Sequence, residues 1–149
     1  MTFVRGDGVD LAARSRARRR ALQAVYAWQL SGRDIGQIRA DFANEQDMQA
    51  ADIDYFDSLT LGVAANLRQL DEGLSAFLDR SIDEVDPIER AVLRLAAFEL
   101  KHRLDVPYRV VLNEAVEVAK RFGSEFGHTY VNGVLDKLAG QWRTVEYRR

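Results

Sequence analysis

Cysteine is absent from the 149 residues. That excludes disulfides, thiolate metal sites and cysteine nucleophiles, and it is compatible with a reducing, cytoplasmic setting. Only two histidines occur, His102 and His128. Glu99 and His102 lie three apart, but one such pair does not make a metal site. No glycine-rich loop follows a strand-like run, so a nucleotide-phosphate cradle is not expected. Asp52, Asp54 and Asp57 lack the glycine and closing Glu of a calcium loop. No cofactor is expected. No apolar run approaches the length of a membrane span, and charges interrupt "MTFVRGDGVDLAARS" before a signal-peptide core develops. The expectation is a soluble cytoplasmic chain with no membrane partner.

Proline is nearly absent too, with only Pro87 and Pro107, and no segment alternates at period two. What is there is helical periodicity. Ala17, Ala21, Ala24, Val25 and Trp28 form a stripe that Ser31-Gly32 stops. Asp34 caps a short helix carrying Ile35, Ile38 and Phe42. Glu45 to Ala50 reads as a polar connector. Ile53 to Leu70 keeps three-and-four spacing and predicts one longer helix, with a break at Asp71-Glu72-Gly73. Ser81 to Asp86 reads as a linker. Asp86 as N-cap, Pro87 at the first position and Glu89 at the capping-box offset then start a helix that is apolar on a wide arc, and so heavily buried. Two more helices follow, about Tyr108 to Phe122, closed by a left-handed Gly123, and one bearing Val131, Val134, Leu135, Leu138 and Trp142. Glu114 and Glu117 read as solvated. The fold class is all-α: six or seven helices in two packed subdomains, about 14–80 and 81–149, after a flexible extension, 1–13.

Charge is unevenly distributed. Residues 1–30 hold six Arg against Asp7 and Asp10, a net of +4. Residues 31–91 hold five Arg against fourteen acids, a net of -9, and residues 92–149 hold ten bases against seven acids, a net of +3. The basic end is concentrated in "RSRARRRALQAVYAWQL", Arg14 to Leu30, where five of the first seven residues are arginine. At 3.6 residues per turn, Arg16, Arg19, Arg20, Gln23 and Tyr26 share one arc opposite the apolar stripe, with Arg18 between the two faces. Guanidinium groups for phosphates, a ring for stacking and an amide for base edges are what a single strand of nucleic acid needs. A merely solvated basic face is the commoner origin of such a run. Two costs weigh against it here. Arg16 and Arg20 at i,i+4 repel by about 0.2–0.5 kcal/mol. Cations in a first helical turn oppose the helix dipole at about 0.3–1 kcal/mol each.

"ARRRALQAVYAWQL" (Ala17 to Leu30), "IERAVLRLAAFEL" (Ile88 to Leu100), "DVPYRVVLNEAVEVAKRFG" (Asp105 to Gly123) and "YVNGVLDKLA" (Tyr130 to Ala139) resemble, in order, the opening helix, a later helix and the two signature stretches of the NusB family of bacterial transcription antitermination factors. The resemblance covers about Arg14 to Arg143. It implies an all-helical, non-enzymatic protein that binds the boxA element of ribosomal RNA leader transcripts. It implies a heterodimer with the small-subunit ribosomal protein NusE, which joins RNA polymerase with NusA and NusG. By position it implies an RNA surface of Arg14, Arg16, Arg18, Gln23 and Tyr26 with Phe126, Thr129 and Tyr130. Arg19 and Arg20 extend it, Arg19 standing where relatives commonly carry Glu. Phe126 is either a stacking ring or a core residue on this reading. Phe77, Asp83 and Glu89 would face NusE, with the acidic middle of the chain attracting a basic ribosomal protein. Core packing for Phe77 and the capping box for Glu89 remain open beside that role. Two other readings remain: a helical accessory to an RNA methyltransferase, and a homodimeric protein-binding module.

Overall fold

The computed structural model describes residues 8–148. Residues 1–7 of the expected extension lie outside the described residues. The described residues form eight α-helices and two short 3-10 turns: α1 (Leu11–Ser31), α2 (Ile35–Ala43), α3 (Ile53–Ala65), α4 (Leu67–Ser75), α5 (Pro87–His102), α6 (Tyr108–Phe122), α7 (Gly127–Trp142) and α8 (Thr144–Tyr147), with the turns at Gln46–Met48 and Ile82–Glu84. The chain is all-α, as the periodicity predicts.

Four of the eight α-helices among the described residues start from a capping carboxylate. Asp34 accepts from the backbone N–H of Gln37, Asp52 from Tyr55, and Asp86 from Ile88 and Glu89, with Pro87 at the first helical position. Each satisfies donors the helix itself leaves orphaned, at about 1 kcal/mol per cap. Asp10 does the same for Ala13, so α1 begins at Leu11, inside the segment expected to be flexible. Gly32 closes α1 with φ 70° and donates its N–H to the Trp28 carbonyl. A left-handed turn of this kind strains any residue with a Cβ.

Three expectations fail for identifiable reasons. The helix expected from Asp52 to Leu70 is two helices, because the Asn66 side chain donates to the Gly62 carbonyl and competes with the helical ladder. Gly73 does not break α4. A Cβ there would lie 2.2 Å from the Trp142 ring, so the glycine lets α7 lie close against α4. Gly123 ends α6 in an extended conformation, φ -92° and ψ -173°, and not in the left-handed one.

Helix α5 is the axis of the molecule. Every residue from Ala91 to Leu100 is buried, and α1, α3, α4, α6 and α7 all pack on it. A single buried cluster runs from Ala17 to Ala139 and crosses the expected subdomain boundary at residue 81. The end of α5 is capped from a distance: Arg143 donates to the backbone carbonyls of Glu99, Leu100, Arg103 and Val106 at 2.7–3.1 Å. Helix α1 is held to α5 at two places. Arg18, about a third of the way along α1, grips Glu99. Near the C-terminal end of α1, Gln29 donates to the Pro87 carbonyl at 2.9 Å and accepts from Arg94 at 3.0 Å.

Candidate nucleic-acid interface

The arginines of α1 divide into two groups. With the helix starting at Leu11, Arg14 is its fourth residue and Arg16 to Arg20 lie beyond the first turn. The helix-dipole cost expected for them therefore largely disappears, since that effect fades within one turn. Arg18 does not sit at the edge of the basic face. It is 6% exposed and makes a bidentate pair with Glu99, both nitrogen–oxygen distances being 2.9 Å. Tyr55 donates its hydroxyl to the same carboxylate at 2.5 Å. Burial works against the Arg18 charge, but Glu99 outweighs it and the pKa lies above the ordinary value. Burial and Glu99 together push the Tyr55 phenol up. Arg18 is thus a core residue, and its assignment to the RNA surface is corrected.

Arg14 and Arg20 are also drawn inward. Arg14 lies over the Tyr55 ring, 4.3 Å from its centroid, and 3.5 Å from Asp105. Arg20 lies over Phe42, 4.8 Å from the centroid, and pairs with Glu45. Arg20 is therefore not the freely exposed cation that the helical wheel suggests, nor is Arg14, which the resemblance placed on the RNA surface. Glu114, expected to be solvated, is half-buried and accepts from Ser15 at 2.5 Å, with Arg18 at 3.3 Å.

Arg16, Arg19 and Gln23 remain on the outer side. They line an open groove of roughly 510 Å³ with Gln49, Arg121 and Phe122. Among the described residues neither Arg16 nor Arg19 has a carboxylate within ion-pair distance, and the one hydrogen bond of the Arg16 guanidinium is a long one, 3.4 Å, to the Ala50 carbonyl. Gln23 accepts from Arg20 at 2.6 Å, which leaves its amide NH₂ as the end available to a ligand. Tyr26 is half-buried, its ring packed against the edge of the core. Arg121 was missed in the sequence, where a cation in the last turn of a helix is the ordinary complement to the dipole.

Further along, α6 ends beside the groove and leads to the second stretch. Phe126 is 74% exposed, which decides its case: it is a surface ring and not a core residue. Thr129 is exposed and Tyr130 half-buried. Tyr130 donates its hydroxyl to Asp79 at 3.1 Å, and Arg80 lies over its ring. Hydrogen bonds from Arg80, and then from Tyr130, hold the Asp79 carboxyl down at about 2. Of the three residues expected to meet a protein partner, Asp83 is exposed, Phe77 is half-buried against the core, and Glu89 is buried. Glu89 turns inward, accepting from Ser124 at 2.8 Å across the start of α7, so its place on a partner surface is corrected.

Among the described residues no group of three metal-binding side chains occurs, and no helix is long and apolar enough to cross a membrane.

Comparison with known proteins finds relatives of nearly the whole chain. The chain is 64% identical over 143 residues to the transcription antitermination protein NusB of Stenotrophomonas maltophilia, covering 96% of this chain and 90% of that one. The solved structure of NusB from T. maritima superposes with a TM-score of 0.77 at 30% identity, covering 86% of this chain and 91% of that one. A crystal structure of antitermination factors NusB and NusE in complex with double-stranded RNA matches with a TM-score of 0.76 at 25% identity, over 88% of this chain and 98% of that one. The NusB family model matches residues 15–140, and with the relatives and the helical fold in agreement, the chain belongs to the NusB family.

Proposed function

We propose that this protein acts in transcription antitermination as an RNA-binding scaffold. It holds the boxA element of a ribosomal RNA leader together with NusE, and the pair joins RNA polymerase with NusA and NusG in the cytoplasm. The observation that carries the reading is the groove on α1, where Arg16 and Arg19 have no carboxylate partner among the described residues and stand beside an amide and a second helix. Unpaired cations on a folded surface release counterions when they meet phosphates, and that release drives binding. Arg16, Arg19 and Gln23 contact the strand directly. Phe126 and Thr129 extend the surface, and Tyr130 borders it. The solved relative that combines NusB, NusE and double-stranded RNA supports both partners. The exposed acids around Asp83 suit a basic ribosomal protein. The scaffold needs no chemical step: two weak contacts on one rigid body raise each other's effective concentration.

The test is a titration of boxA RNA and of a scrambled RNA, with and without NusE, across a range of salt. Preference for boxA that grows when NusE is present supports the reading. Equal, partner-independent binding of both RNAs refutes it.

A further inference from the structure

The cationic groove does not belong to α1 alone. Arg19 on α1 and Arg121 on α6 both line it, and both also line a second notch of about 230 Å³ between the two helices. Two guanidinium groups from different helices thus share one concavity. Glu114 and Glu117 line the same notch, but among the described residues neither lies within ion-pair distance of Arg19 or Arg121. Glu114 is taken by Ser15 and Arg18, and Glu117 lies 3.8 Å from the Lys120 ammonium. Partial burial, and then repulsion from Arg121 and Arg16, lower the pKa of Arg19 below its ordinary value. The fold therefore holds like charges together, and the favourable field of Glu114 on Arg19 does not offset their repulsion and partial burial.

Resting on the RNA-binding reading above, we propose that Arg19 and Arg121 clamp one phosphodiester of the bound RNA between α1 and α6. A phosphate oxygen pair suits this geometry, because a planar guanidinium presents paired donors to it and two of them can approach from opposite sides. The clamp also sets the path of the strand. Phe122 lines the same groove, and four residues of chain, at most about 14 Å, lead from it to the exposed Phe126. The RNA enters along Arg16, crosses at the clamp and leaves α1 towards Phe126. The bland role for Arg121 is to complement the dipole at the end of α6, a task Lys120 already shares.

The experiment uses the full chain with NusE, a fluorescent single-stranded boxA RNA, and the variants Arg19→Ala, Arg121→Ala, Arg121→Lys and the double alanine. Each single alanine is expected to weaken RNA binding roughly tenfold, about 1.4 kcal/mol. The double variant loses about 0.7 of salt slope in total, one phosphate's worth on a single strand. Arg121→Lys keeps most of that slope, and the melting temperature of Arg121→Ala is unchanged or higher. Unchanged affinity in Arg121→Ala, a double-variant slope loss near 1.4, or weakened NusE binding with RNA binding intact would each overturn the clamp. Wild-type protein that ignores RNA would overturn the underlying reading as well, whereas loss confined to these variants tests the clamp alone.

Discussion

Arg16 and Arg18 are two residues apart on one helix and lie in opposite environments. Arg18 points into the core and is matched nitrogen for oxygen by Glu99, with Tyr55 completing the set. Arg16 points out, into a groove whose one lining carboxylate, Asp47, lies nearest Arg20 and makes no ion pair with Arg16 among the described residues. The same side chain therefore serves folding at one position and is without an ion-pair partner among the described residues at the other. Charge density along a sequence does not separate these roles. What separates them is whether a partner waits across the helix, and here the partner of Arg18 lies 81 residues away.

The contrast breaks most severely at Arg18. Arg18→Ala leaves Glu99 buried and unpaired, which costs about 3–5 kcal/mol. At about 2–4 °C per kcal/mol for a chain of this size, the melting temperature falls by roughly 10 °C, as calorimetry or a urea melt would register. RNA affinity of the remaining folded protein stays near that of the wild type. A large affinity loss without destabilisation would return Arg18 to the binding surface.

Phe126 is the opposite case. Phe126→Ala removes an exposed ring, so stability stays within about 0.5 kcal/mol. Loss of one stacked base costs about 1–3 kcal/mol of RNA binding. Fluorescence titration beside a thermal melt checks both halves, and an unfolded variant would contradict the exposed placement.

The smallest effect sharpens the middle of the series. Arg20→Ala loses its pairing with Glu45 and its seat on Phe42, at about 0.2–1 kcal/mol of stability, and changes RNA affinity less than Arg16→Ala does. Matched urea melts and RNA titrations rank the two. If Arg20→Ala proves the more harmful to RNA binding, the division between paired and open arginines is wrong.

Much of the fold was legible because it is written locally. Asp34, Asp52 and Asp86-Pro87 announce helix starts through contacts within three residues, and the wide apolar arc of α5 announces burial. The short α8 and the break at Asn66 were not legible, since the side chain that opens the helix there looks like any polar surface residue. Gly73 misled for a related reason: its meaning lies in Trp142, nearly seventy residues on. Helical spacing placed Arg16, Arg19 and Gln23 on the outer side of α1, where they line the groove. It had no means to foresee that Glu99, Asp105 and Glu45 would claim their neighbours, or that Arg121 would arrive from another helix.

The double tether of α1, through Arg18 and, about three turns on, Gln29, bears on recognition. A rod fixed at two points neither rolls nor slides, so its outward groups keep their spacing before any ligand arrives. The ordering entropy of complex formation then falls on the flexible strand alone.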